Sequence, residues 1–298
     1  MDHIPADLLE FMETLRAPKG VNPADLLTQY DALMNGNPPP VGAVYDNVLL
    51  RETSGWRLTA DIAVPKGNGP HPVLVYIHGG GWTMGSPKTH LRVGREFAAA
   101  GYLTINIDYR RAPKHRFPAA FDDSVFATQW AVEHAARYGG DATRLAVGGD
   151  SAGGNLAAAV LVECAKQGSP KIGVGVLLYG AFDYHRTIKA LGPDAPDKQF
   201  YLPQDQYEAL RGDYRVSPCY ASLTFPPCYI GVGTKDPLLP ESLELAKALK
   251  AAHIDHDLHV LEGAPHAFFQ LPPLPAYAEG YARATTFLNK YLNGGKRS

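Results

Sequence analysis

Cysteine is scarce in this chain. Cys164, Cys219 and Cys228 are the only three in 298 residues, an odd number with no C-x-x-C spacing. Neither a disulfide framework nor a cysteine-built metal site is indicated. A chain of this length buries a core without covalent staples, and a reducing compartment is the expectation. Long apolar runs are missing too: no window approaches ~18 uninterrupted apolar residues, which argues against a membrane-spanning helix. The opening MDHIPADLLEFMETLRAPKG has no basic stretch followed by an apolar one, so it does not read as a secretion signal. Cytoplasmic residence is expected. Charge of one sign is also lacking, with 28 basic residues against 30 acidic and a net charge of −2. No block of basic residues offers itself to nucleic acid or to an anionic membrane. Without repeats or low-complexity tracts, one α/β core with insertions fits the length.

What is present starts with helical patterning. Ile4, Leu8, Phe11, Met12 and Leu15 recur at helical spacing. A second helix is expected from Asn22-Pro23 onward, with Leu26, Leu27, Tyr30, Leu33 and Met34 on its apolar face and Gly36 past its end. The run NPPPVG (37–42) then breaks the pattern. Val44–Glu52 and Trp56–Val64 read as an antiparallel hairpin turning at Ser54-Gly55. After it, short apolar runs predict strands at Pro72–Ile77, Tyr102–Ile107, Arg144–Gly148, Ile172–Leu178, Cys228–Val232 and Asp257–Leu261. Helical patterns separate them, around Leu91–Ala100, Ala119–Tyr138, Ala152–Gln167 and Glu241–Ala251, with a last one near Ala276–Leu292. This alternation predicts an α/β fold whose mostly parallel sheet is covered by helices on both faces. Between Leu178 and Cys228 the interval is too long for an ordinary connection and reads as an insertion over one sheet edge, beside the N-terminal helices. Within it Tyr207, Leu210 and Tyr214 keep helical spacing.

The strongest local signal is GGDSAGGN, Gly148 to Asn155, between the strand LAVGG and the helix AAAVLVECA. It contains Gly149-Asp150-Ser151-Ala152-Gly153, a G-x-S-x-G pattern. A serine on a sharp strand-to-helix turn projects its hydroxyl above the sheet, with a helix N-terminus directly behind it. A glycine-rich turn of purely structural use would explain the five residues alone, but the strand before and the helix after favour the chemical reading. An attacking serine needs a base, and the base an orienting acid, in the order serine, acid, histidine. Asp236, just after the strand Cys228–Val232, is the candidate acid, with Glu262 as a weaker alternative. His266, in the loop after the last strand, is the candidate base; His253, His256 and His259 are the other late histidines. His256 and His259 could be read as a metal pair, but three residues apart on a strand they point opposite ways, and no third ligand is evident. No metal is expected.

The stretch YIHGGGW (76–82) places three glycines at the end of a strand. A turn would explain them, but a developing oxyanion also needs a backbone that comes close with bare N–H groups. Gly80, Gly81 and Ala152 are the expected donors.

Together HGGGW (78–82), GDSAGG (149–154), DPL (236–238) and PHAF (265–268) resemble the hormone-sensitive-lipase-like family of α/β-hydrolase carboxylesterases. YRRAPKHRFPAA (109–120) is similar to a further segment of that family. The resemblance runs from about residue 44 to 291. It implies an α/β-hydrolase fold, carboxylic ester hydrolysis and no cofactor. It also implies a cap made of residues 1–43 and 184–216 over a core of 44–183 and 217–298. Lys114 departs from the family, which has Glu there, so any ion pair of that acid is missing or rebuilt. A second acid that follows DPL in the family is also missing, which leaves the support of Asp236 open.

The leading expectation is a serine esterase acting on a small-molecule ester, with neither nucleic acid nor membrane as partner; a homodimer is left open. The same groups could serve a lactone, carbamate or amide, and a silent scaffold binding a small apolar ligand is the alternative outside enzymology. The insertion carries Arg186, Lys189, Asp194, Asp197, Lys198, Asp205, Glu208, Arg211, Asp213 and Arg215, too polar for a lid that opens onto lipid. Trp82, Phe200, Tyr201 and Tyr207 are expected to bind substrate by crowding the pocket mouth, which favours short acyl chains.

Overall fold

A computed structural model describes residues 31–53, 55–191, 200–221 and 224–294. Eight strands form one sheet: β1 (Ala43–Thr53), β2 (Trp56–Val64), β3 (His71–Ile77), β4 (Leu103–Asp108), β5 (Gly140–Asp150), β6 (Val174–Leu178), β7 (Cys228–Gly233) and β8 (His256–Leu261). Their spatial order is β1-β2-β4-β3-β5-β6-β7-β8. β1 and β2 form the expected hairpin, β2 is also antiparallel to β4, and every later pairing is parallel.

The near-continuous apolar runs have the cause anticipated for them. β6 and β7 are buried along their whole length, and β3 from its second residue on, because helices cover both faces. On one face lie α2 (Ala119–His134), α3 (Ala152–Gln167) and α5 (Leu239–Ala251); on the other lie α1 (Leu91–Ala99) and α6 (Pro275–Leu292). The edge strand β1 instead leaves most of its residues at least partly in water. The helix expected over Ala119–Tyr138 ends as a 3₁₀ turn, Ala135–Tyr138, closed by Gly139 at φ 80°.

The insertion differs from its expectation. Its helix is α4 (Tyr184–Leu191), and the stretch around Tyr207, Leu210 and Tyr214 is a chain of turns. Isolated turn bonds run from Gln206 N–H to Pro203 O, Arg211 N–H to Glu208 O and Asp213 N–H to Leu210 O. The charges at 205, 208, 211, 213 and 215 leave this stretch too little apolar surface for a continuous buried helix face. Asn155, one turn into α3, anchors both ends of the insertion by donating to Ala181 O (2.7 Å) and Val216 O (2.8 Å). The helix expected over Ile4–Leu15, all but the end of the second one, and Asp194, Asp197 and Lys198 lie outside the described residues. Residues 31–35 are helical and dock on α1, where Arg92 donates to Met34 O and Asn37 O.

Candidate active site

Four loops at the carboxyl ends of parallel strands converge, the location at which open α/β sheets carry their ligand-facing groups. Ser151 follows β5, the glycine run follows β3, Asp236 follows β7 and His266 follows β8. The register pairs Ile77 with Gly149, which sets the glycine run beside the serine.

Ser151 has φ 52° and ψ −120°, a backbone that residues with a Cβ rarely adopt. The turn around it is forced by close approach: a Cβ on Gly153 would overlap the carbonyls of Ile77 and His78, and one on Gly149 would meet Gly153 O and Ile77 O. The strained elbow is held by Ser151 N–H donating to Leu178 O (2.9 Å) and by its own carbonyl accepting from Asn155 and Ala181.

His266 Nε2 lies 2.9 Å from Ser151 Oγ, and its Nδ1 lies 2.8 Å from Asp236 Oδ2. The carboxylate side chain is fully buried, whereas the imidazole is 34% exposed. Asp236 Oδ1 accepts Leu238 N–H at 2.8 Å, so a backbone donor supports it where a second acid was missing. Glu262 is exposed and takes a bond from Thr234, away from this line of contacts. Such an arrangement can move a proton from a hydroxyl to an imidazole while the carboxylate fixes the ring. The cysteines do not compete as nucleophiles: burial pushes the Cys164 thiol up to about 12 and those of Cys219 and Cys228 higher still.

Gly80, Gly81 and Trp82 run in succession at φ 123°, 57° and 60°. Only glycine adopts the first readily. Among the described residues, no acceptor in the chain takes the N–H of Gly80, Gly81 or Ala152. Ala152 opens α3, so its N–H has no partner within the helix. Three bare donors are therefore offered, two on the loop after β3 and one at the start of α3, next to Ser151.

The arrangement includes residues the sequence reading passed over. Asp150, between Gly149 and Ser151, is 1% exposed and accepts from Tyr76 Oη (2.8 Å), Gly79 N–H (3.0 Å) and Gln270 Nε2 (3.0 Å). Burial opposes its ionisation, but His90 and the bond from Tyr76 outweigh that and hold its carboxyl below the usual range. One side chain thereby joins the serine elbow, the glycine run and the loop after His266. The only sequence signal was an acid placed inside an otherwise apolar and glycine-rich motif.

The aromatic group departs from its expected place. Trp82 and Tyr201 are 2% and 0% exposed and stack at 4.7 Å, with Tyr184 edge-on to Trp82 at 5.2 Å. They form a wall rather than an open mouth, since each ring removes the other's apolar face from water. Phe200 and Tyr207 are half-buried against the same cluster. Lys114 is exposed, and the ion pairs of its segment are rebuilt elsewhere: Arg110 and Arg51 both meet the buried Asp123, at 2.9 and 2.7 Å. His256 and His259 point apart. His256 lies against Ile254 O, while His259 bridges Tyr229 and Glu279. No group of three or more possible metal ligands occurs among the described residues.

Comparison with known proteins adds the family. A model of the α/β hydrolase fold matches residues 74–270. The carboxylesterase NlhH of Mycobacterium tuberculosis is 33% identical over 241 residues, 74% of each chain. An ethyl acetate hydrolase of Pseudomonas putida is 32% identical over 74% of this chain and 73% of its own. Among solved structures, an esterase of Pyrobaculum calidifontis aligns with a TM-score of 0.79 at 26% identity, covering 97% of this chain and all of the other. A thermophilic carboxylesterase from a metagenomic library gives 0.80 at 27%, over 94% and 97%. The chain belongs to the α/β-hydrolase family, among its hormone-sensitive-lipase-like carboxylesterases. It is a carboxylic ester hydrolase. No helix among the described residues is long and apolar enough to cross a membrane.

Proposed function

We propose that the chain hydrolyses short-chain, soluble carboxylic esters by serine catalysis through an acyl-enzyme, in the cytoplasm and without a cofactor. The observation that carries this reading is the unbroken line Ser151 Oγ, His266 Nε2, His266 Nδ1, Asp236 Oδ2, with contacts of 2.9 and 2.8 Å. Ser151 Oγ attacks the ester carbonyl while His266 Nε2 takes its proton, and Asp236 stabilises the imidazolium. The carbonyl oxygen becomes an oxyanion, met by the N–H groups of Gly80, Gly81 and Ala152. Collapse breaks the ester C–O bond, and His266 returns the proton to the departing alkoxide. Water then repeats the sequence on the acyl-serine and releases the acid.

Short-chain preference rests on the stacked wall of Trp82 and Tyr201 and on the polar insertion. A closed wall rewards each added methylene by ~0.8 kcal/mol until the pocket is full, after which further carbons strain it. Rates on p-nitrophenyl esters should therefore rise to about four to six carbons and drop steeply by twelve. Butyrate against palmitate is the comparison to run, with tributyrin below and above its solubility limit. Faster palmitate cleavage, or a jump in rate as emulsion forms, would overturn the assignment to soluble esters.

A further inference from the structure

Three bare N–H groups are of use only if they point the right way, and a glycine run by itself does not aim them. The peptide between Gly79 and Gly80 is trans, so its C=O and N–H point in opposite directions and fixing one fixes the other. Gly79 O lies 2.7 Å from His78 Nδ1. A carbonyl oxygen only accepts, so Nδ1 carries the hydrogen and donates it. The ring is fully buried, and burial, then the positive surroundings of His90 and Arg111, push its pKa well down, which keeps it neutral. The next peptide is fixed in the same manner, because Gly80 O accepts Thr83 N–H at 3.1 Å and Met84 N–H at 3.0 Å. The preceding one is held at both ends, Tyr109 Oη donating to His78 O (3.0 Å) and Gly79 N–H donating to Asp150.

We propose that His78 is a positioning residue that aims the Gly80 N–H at the oxyanion by donating its Nδ1–H to the carbonyl of Gly79. The inference rests on the serine-esterase reading above. It differs from a packing role in a way that can be measured, because His78 also stacks on Tyr109 at 4.3 Å with the rings 18° apart. Packing is a property of the ring; aiming is a property of one N–H.

Two substitutions separate these properties. His78→Phe keeps the ring and loses the donor. His78→Asn loses the ring and puts an amide N–H where Nδ1–H stood. With p-nitrophenyl butyrate, His78→Phe should lose ~10²-fold in kcat, the scale of one lost oxyanion donor, while KM stays within about threefold. His78→Asn should recover at least about tenfold of that loss. Wild-type kcat in His78→Phe, or an Asn variant no better than the Phe one, overturns the proposal. His78→Gln, whose amide reaches the Nε2 position instead, should behave as the Phe variant and replaces it if that protein does not fold. If neither folds, the role is structural and the proposal fails. Ser151→Ala is measured alongside: retained turnover there would sink the serine reading itself, whereas its loss with an unchanged His78→Phe sinks only the aiming.

Discussion

The carboxyl ends of β3, β5, β7 and β8 and the insertion that follows β6 are built by different means. At the strand ends, position comes from backbone and buried polar bonds. The serine elbow hangs on Leu178 O and Asn155 N–H, Asp236 on Leu238 N–H, and the glycine run on His78, Asp150 and its own turn. The insertion adds packed rings to such bonds: Trp82, Tyr184, Tyr201, His185 and Tyr207 are in contact, beside the clamp of Asn155 and the bonds that Glu241 and Ser217 accept from it. Directional bonds fix a donor or base to within a few tenths of an ångström, which the chemistry requires. Ring packing is less directional, and under the function proposed above this is the surface that fits the acyl chain.

A change to the buried acid breaks that comparison from the rigid side. Asp236→Asn keeps the shape but holds the imidazole in the wrong tautomer, and kcat should fall by ~10⁴. Glu262→Gln, on the exposed rim, should leave it unchanged. Equal losses in the two variants, read by steady-state turnover, would mean that the acid is shared or misassigned.

The strand-end region was largely legible in the sequence because its motifs are local. G-x-S-x-G between strand and helix, a glycine run after a strand, and an acid and a histidine after successive late strands all lie within a few residues of one another or of a predictable strand end. What was not legible depends on contacts across the chain. Asp150 accepts from Gln270, 120 residues away, and nothing in either neighbourhood announces the pairing. Tyr201 was read as a mouth residue, yet its burial comes from stacking on Trp82. The helical spacing of Tyr207, Leu210 and Tyr214 could not say that these side chains would reach the core from successive turns rather than from one helix face. Periodicity shows which residues are apolar and leaves open which backbone delivers them.

Glu241 sits where the two regions meet and offers a smaller test. It opens α5 near Asp236, accepts Asp183 N–H at 2.8 Å and Thr187 Oγ1 at 2.6 Å, and so ties α4 to the core. Burial first, despite those donors, pushes its carboxyl from 4.5 up to about 7. The native state thus holds this proton more tightly than the unfolded chain does. The corresponding stability is fully present below the unfolded value and is lost as pH rises through the window up to about 7. Glu241→Gln cannot ionise, so the wild-type Tm should decline against the variant's across that window. Parallel Tm curves would show that burial at this joint does not raise the Glu241 carboxyl.

The central claim, that Ser151 is the nucleophile backed by His266 and Asp236, is tested most directly by trapping with a fluorophosphonate and locating the adduct by mass spectrometry. One adduct per chain should appear, on Ser151, with activity lost in proportion to labelling. Asp236→Asn should label far more slowly, and Ser151→Ala should neither label nor turn over ester while melting near the wild-type temperature. An adduct on another residue, or a Ser151→Ala protein that keeps even about a tenth of wild-type kcat, would contradict it.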